Sequence, residues 1–214
     1  MKALVLVAHA DDETLGAGGT IRRLVQSGWE VDVVFIADGI VTARGTTEDN
    51  RQGARDAAAV LGIKPPTFLG FKDQFFDSYP VAEIASAAAA LGMEPDLVIT
   101  HSPTDLNKDH RIACEVAKII ARPRVRPIGL LACEIFNTAI NNGAPVPANY
   151  YVDITETLHA KIEAFDKYAY EVRPFPHPFS TEAIRLHARY HGMQSGVRAA
   201  EAFTVLRGHN GCLP

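Results

Sequence analysis

A chain of 214 residues, 47% hydrophobic and 21% charged, is long enough for one domain with a substantial buried core and too apolar for a disordered segment. Its formal net charge of -4 provides no basic stripe to neutralise a phosphate backbone, which argues against nucleic acid as a partner. The three cysteines, Cys114, Cys133 and Cys212, form no C-x-x-C pair, so neither a disulfide framework nor a thiolate zinc knuckle is indicated, and a reducing cytoplasm is the simplest setting.

The apolar opening, Met1 to Ala8, is too short to span a bilayer and runs straight into His9 and three acids where a signal peptide would have its cleavage region. Ala3–Ala8 therefore reads as a strand buried on both faces, and no other segment is apolar and long enough to enter a membrane. Helical spacing follows over Asp11–Ser27 (Leu15, Ile21, Leu24, Val25), with Gly28 as a stop. Val31–Ala37 predicts a second buried strand, Asn50–Leu61 an alanine-rich helix closed by Gly62, and Thr67–Gly70 a short strand before an aromatic loop. Pro80 opens a helix that runs through Ile84 to Leu91. Asp96–Thr100 is the next apolar strand, Asp109–Ile120 a helix, Ile128–Phe136 a strand and 137–149 a polar loop. Tyr151–Ile154 and two helices, near Thr155–Tyr170 and Ser180–His191, complete the pattern.

Strand and helix in alternation predict an α/β architecture, a mostly parallel sheet with helices on both faces, in one domain spanning residues 1–214. In such sheets ligands sit outside the carboxyl ends of the strands, so the residues just after each strand matter most.

Two of those positions carry metal-competent groups. The first strand ends in His9-Ala10-Asp11-Asp12-Glu13. An imidazole and a carboxylate three residues apart in a turn can reach one point in space, and both are good ligands for Zn²⁺. Capping of the next helix accounts for one acid, not for three acids and a histidine. The strand Asp96–Thr100 ends in His101 and leads through Asp105, Asn107 and Asp109 to His110. A polar loop with Asp109 as the cap is the alternative there. His101 by itself reads as such a loop residue, whereas His110 beside Asp109 at a helix start reads as a ligand. A catalytic zinc typically keeps three protein ligands and a water. His9, Asp12 and His110 would supply them, and Asp11 would take the proton of a water whose pKa the metal lowers to about 7.

These residues resemble the PIG-L/LmbE-like N-acetylglucosaminyl deacetylases. The family's opening A-H-P-D-D-E appears as A-H-A-D-D-E at Ala8 to Glu13, followed by L-G-A-G-G-T-I, and H-S-P-T-D-L-N-K-D-H-R resembles its D-x-N-x-D-H variant. Further matches (A-C-E-I-F, A-N-Y-Y-V-D-I, P-H-P and G-M-Q-S-G-V-R-A-A-E-A-F) extend the resemblance over nearly the whole chain. It implies a Rossmann-like fold, a mononuclear Zn²⁺ site (Fe²⁺ or Mn²⁺ as alternatives) held by His9, Asp12 and His110, Asp11 as general base, and Asp109 orienting a neighbour. It also implies a small acetamido-sugar substrate, with a homo-oligomer left open.

Three departures bear on the chemistry. Ala10 replaces the usual proline. Asn107 stands where many members have a histidine that protonates the leaving amine or steadies the oxyanion; an asparagine can donate a hydrogen bond but not a proton. Asp11 in its protonated form, or His177 or His101, would then be the acid. His191 replaces the arginine of R-G-x-x-x-G, weakening a substrate-binding or packing charge.

Other features read more plainly. Arg44, Arg51 and Arg55 serve equally as anion contacts or as a solvated face. Glu134 divides evenly between sugar hydroxyls and an arginine partner. Gly16, Gly18 and Gly19 do not match G-x-G-x-x-G and read as close helix–sheet packing. The loops 71–80 and 137–149 would choose the substrate. The competing functions are a metal-dependent hydrolase of another amide or a phosphoester, and a catalytically silent binding protein of the same fold.

Overall fold

The structure, a computed structural model, describes residues 1–41, 45, 47–123, 125–143, 147–209 and 211; Arg44 and Cys212 lie outside these. In chain order the elements are β1 (Lys2–Val7), α1 (Asp12–Gln26), β2 (Glu30–Ala37), the short pair β3 (Ile40–Val41) and β4 (Glu48–Asp49), α2 (Arg51–Leu61), β5 (Thr67–Phe71), α3 (Val81–Ala89), β6 (Leu97–His101), α4 (Lys108–Ile120), β7 (Gly129–Cys133), α5 (Phe136–Asn141), β8 (Tyr150–Asp153), α6 (Leu158–Phe165), α7 (Thr181–Ser195) and β9 (Ala200–Arg207).

The alternation of side chains along β1 explains the layering. Ala3, Val5 and Val7 join one hydrophobic cluster with Phe35, Leu61 and Phe165; Leu4, Leu6 and Ala8 join a second with Ile36, Ile84 and Val116. A strand that feeds two cores must be covered on both faces, which is why it reads as an unbroken apolar run. Helices α1, α2, α6 and α7 supply the first core and α3 and α4 the second. Gly62, left-handed at φ 79°, ends α2 where the sequence places a stop.

The main sheet has the order β5-β2-β1-β6-β7-β9-β8. From β1 the chain winds outward through β2 to β5, then returns to the other side of β1 with β6 and β7, all parallel. The carboxyl ends of β1 and β6 therefore flank the point where winding reverses, where an open α/β sheet leaves a crevice.

The sheet is mostly parallel, as expected, with antiparallel pairing at one edge. β9, which the sequence reading left unassigned, inserts antiparallel between β7 and β8. Its A-E-A-F opening lacks β-branched residues, and the alternation is masked by Glu201, a buried carboxylate. The strand expected to run to Phe136 stops at Cys133, and part of the expected loop 137–149 is the short helix α5, which buries no residue and so leaves no apolar stripe to read. Helix α6 is shorter than Thr155–Tyr170, and α7 continues past His191 to Ser195.

The glycines after the acidic motif are packing residues, as read. A Cβ on Gly16 would lie 2.5 Å from Cys133 Sγ, and one on Gly19 2.7 Å from Ile154 Cγ2. Close approach of α1 to the sheet holds the start of that helix at the tip of β1.

Candidate active site

After β1 the backbone turns through Ala8–Asp11 and enters α1. Asp11 takes φ 125° and ψ -27°, a conformation that a residue with a side chain rarely adopts. Its carbonyl accepts from Thr14 N and Leu15 N (both 3.0 Å) and from Thr14 Oγ1 (2.7 Å), and its own N–H donates to Glu13 Oε2 (3.2 Å). Although Asp11 occupies the N-cap position, its carboxylate makes no capping bond and lines a cavity of ≈ 190 Å³. Asp12 turns the other way: its Oδ2 accepts from His9 N (2.8 Å) and lies 3.4 Å from His9 Nδ1, while its Oδ1 is 3.5 Å from His110 Nε2.

The segment after β6 meets this turn from the opposite side of the reversal point. Asn107 caps α4, its Oδ1 accepting from Asp109 N (2.8 Å), and its amide donates to Gln74 Oε1 (3.3 Å). Asp109 is thus free of capping. Its Oδ1 accepts from Phe76 N (3.1 Å) and its Oδ2 lies 3.2 Å from His9 Nε2. His110, one residue on, aims Nε2 at Asp12, with Asp105 Oδ2 3.1 Å behind its Nδ1. The ligand atoms of His9, Asp12 and His110 all lie within 4.8 Å of one another.

His101 is corrected. It is no solvated loop residue: it is fully buried, accepts from Ala8 N (2.9 Å) through Nε2, and stacks on His110 with ring centroids 3.9 Å apart. It fastens the last turn of β1 to β6. His177 is exposed, its Nδ1 accepts from Phe179 N (3.0 Å), and the cavity wall includes Phe179 but not His177.

Several residues at the site were not singled out in the sequence. Asp73, in the loop after β5, puts Oδ1 3.2 Å from His9 Nε2. Gln74 reaches both His9 and Asn107, and Glu171 lines the cavity. Asp105 was visible as the first acid of the D-x-N-x-D-H run; the other three carry no local pattern.

The electrostatics follow from burial and sign. Burial, then the neighbouring Asp12, Glu171 and Glu13, push the Asp11 carboxyl well above the usual carboxylate range. Burial acts on Asp12 in the same direction, but His110 and His101 outweigh it and hold Asp12 well below that range. Two adjacent carboxyls thus have opposite proton affinities, an arrangement typical of acid–base sites. Glu13, buried beneath them, is raised to about 7 by burial, which its hydrogen bond from Tyr168 OH (2.6 Å) offsets only in part.

A larger cavity, ≈ 620 Å³, opens near the amino ends of β6 and β7, lined by Ala85, Met93, Ile120 and Arg126 among others. None of the candidate metal-binding clusters among the described residues touches it, whereas His9, Asp12 and His110 all line the smaller cavity, which makes that one the candidate active site. No helix among the described residues is long and apolar enough to cross a membrane. Arg51 is engaged with Asp49 (2.7 Å) in an exposed pair, and Arg55 contacts Gln52 on the same helix.

The profile of the PIG-L family, described as GlcNAc-PI de-N-acetylase, matches residues 4–121, which span every residue of the cluster from His9 to His110. A diacetylchitobiose deacetylase of Thermococcus kodakarensis is 25% identical over 97% of this chain and 84% of its own length. Among solved structures, an N,N'-diacetylchitobiose deacetylase from Pyrococcus horikoshii in complex with an inhibitor superposes with a TM-score of 0.76 at 23% identity, over 96% of this chain and 83% of that one. The 4-carboxy-2-hydroxymuconate hydratase of Pseudomonas putida shares the fold at a TM-score of 0.74 and 21% identity, over 97% of each chain.

Proposed function

The chain belongs to the PIG-L family of GlcNAc-PI de-N-acetylase relatives, and from that premise we propose that it is a metal-dependent hydrolase that removes the N-acetyl group of a small acetamido-sugar derivative. The observation that carries this reading is the convergence of His9, Asp12 and His110 beside a cavity that Asp11 also lines.

The donor set fits a divalent cation of the zinc class. Two imidazoles and a carboxylate face one another, and each imidazole is braced at its far nitrogen by buried carboxylates, Asp109 and Asp73 behind His9 and Asp105 behind His110. That bracing turns His9 Nδ1 and His110 Nε2 toward Asp12 and makes them better donors. Iron(II) or manganese(II) would suit the same ligands. Such an ion, held by His9, Asp12 and His110, would supply Lewis acidity toward the acetamide carbonyl and would lower the pKa of water so that hydroxide is available at neutral pH.

The chain's own residues handle protons and position. Asp11 accepts the proton of the attacking water and, with no histidine at position 107, returns it to the leaving amine. Asn107 lines the cavity wall, where the amide hydrogen not given to Gln74 can meet a carbonyl oxygen. His177 becomes an acid only if the loop 174–179 turns inward, so Asp11 carries both transfers in this proposal. The acetamido-sugar assignment draws on relatives named as diacetylchitobiose deacetylases. The fold by itself does not choose the chemistry, as the hydratase neighbour illustrates.

The test is release of free amine and acetate from a panel of acetamido sugars, with metal content controlled. Asp11→Asn should keep its metal and lose about 10²–10⁴-fold in turnover. An Asp11→Asn chain as active as wild type, or a metal-loaded wild type that releases acetate from none of the panel, refutes the proposal.

A further inference from the structure

The last residue position before the cavity wall on the β7 side belongs to a different cluster. Glu134 directly follows β7, and Ile135, next to it, lines the cavity. Among the described residues Glu134 has no arginine partner, and its side chain is largely buried. It meets His187 and His191, which stand one turn apart on the same face of α7.

Three atoms converge there. His187 Nε2 and His191 Nε2 are 2.9 Å apart, and Glu134 Oε2 lies 3.4 Å from the second and 3.8 Å from the first. A circle through them has a radius of about 2.0 Å, so an ion at the ~2.0–2.1 Å typical of zinc bonds to nitrogen and oxygen would sit within about 0.7 Å of their plane. The pattern is hard to satisfy with protons alone. His191 Nδ1 is 2.8 Å from Gln194 Oε1, which places a hydrogen on Nδ1 and leaves the Nε2 lone pair facing inward. One proton can then join the two imidazoles, but the Glu134 oxygen stands at the edge of hydrogen-bonding reach.

The surroundings hold the donors in place. The His187 ring stacks on Phe136 (centroids 4.2 Å, 21°), and the side chains of Glu134, His187 and His191 are 14%, 15% and 7% exposed. The three line a void of ≈ 10 Å³, enough for about one water-sized ligand.

We propose that Glu134, His187 and His191 form a second divalent-cation site, of zinc-class affinity, that ties α7 and α5 to the carboxyl end of β7. The ion has a structural part to play: it fixes the start of α5, from which Asn137 and Thr138 reach the cavity wall.

Zinc titration of metal-stripped full-length protein against a chromogenic chelator, with bound metal counted by mass spectrometry, tests this. Wild type should bind two equivalents, His9→Ala one, His187→Ala one, and the double variant none. Gln194→Ala, at an exposed position that does not endanger folding, should weaken only the second equivalent, by about 10–100-fold. Zinc should raise the melting temperature of His9→Ala but not of His9→Ala/Glu134→Gln. The proposal is overturned if Glu134→Gln and Gln194→Ala bind zinc as wild type does, or if the sole equivalent bound is the one His9→Ala abolishes. Failure of the catalytic reading looks different: His9→Ala would then change nothing, while the equivalent lost in His187→Ala persisted.

Discussion

Helix α1, which begins with Asp12, is pinned by a buried ion pair that can be taken apart one charge at a time. Lys161, on α6, donates to Leu15 O (2.7 Å) and to Glu201 Oε1, and Glu201 accepts from Gly19 N (2.9 Å) and Thr20 N (2.7 Å). Leu15 O and Gly19 N are i and i+4 positions of the same helix, so the pair reaches into the ladder of α1 itself. Both side chains are about 4–5% exposed. Lys161→Met removes the cation and leaves a buried carboxylate with only two amide donors, a change that typically costs about 3–5 kcal/mol. Those two amides moderate the loss, so about 3 kcal/mol is expected. At about 2–4 °C per kcal/mol for a chain of this size, that is a fall of roughly 6–12 °C in Tm. Urea unfolding of metal-stripped protein, followed by far-UV circular dichroism, measures it without a contribution from bound metal. Lys161→Met/Glu201→Gln should then be less destabilised than the sum of the single changes by about 1–3 kcal/mol. A loss below about 1 kcal/mol in Lys161→Met, or additivity within about 0.5 kcal/mol, would refute the reasoning.

Two further outcomes follow from geometry. Asp109→Asn keeps the hydrogen bond from Phe76 N within reach but weakens the brace on His9 Nε2, so zinc affinity at the His9 site should fall about 10–100-fold while the melting temperature of the metal-free protein changes little; unchanged affinity in a chelator competition would remove Asp109 from the brace. Gly19→Ala gains helix propensity worth about 1 kcal/mol, yet its Cβ would lie 2.7 to 2.9 Å from three atoms of Ile154, and the net result expected in urea is a loss of about 1–2 kcal/mol; a stabilised variant would show that the contact of α1 with Ile154 is looser than these distances imply.

What the sequence disclosed depended on whether a residue's role is local. The parallel half of the sheet announced itself because Ala3 to Ala8, Val31 to Ala37 and Asp96 to Thr100 must be apolar on both faces, and the groups that follow two of those runs lie where the winding reverses. β9 was illegible for the opposite reason. Its Glu201 is explained by Lys161, 40 residues away, and by the amides of Gly19 and Thr20 on α1, and no period along the strand reveals such partners. His101 looked like a loop residue because a buried histidine shows in the sequence only as a polar letter. Asp73 and Glu171 belong to loops whose approach to His9 and Asp11 is set by the packing of β5 and α6, not by spacing within either loop.

The two helices that start at the crevice make the most telling comparison, because they face the same physical demand and meet it differently. Each has unsatisfied N–H groups at its first turn, and a short polar side chain at the N-cap is the ordinary remedy. α4 takes it: Asn107 accepts from Asp109 N, and that frees Asp109 to turn toward His9. α1 does not. Asp11 stands at the N-cap with a suitable side chain, makes no capping bond, and takes a backbone conformation whose strain costs about 1–3 kcal/mol. Its carboxyl is further burdened by burial beside Asp12, Glu13 and Glu171. Neither helix capping nor core packing accounts for that placement, whereas the proposed role of Asp11, an acceptor for a water proton beside the convergence of His9, Asp12 and His110, would account for it. The strain at Asp11 is the kind of local cost that a binding protein without chemistry would have no reason to keep.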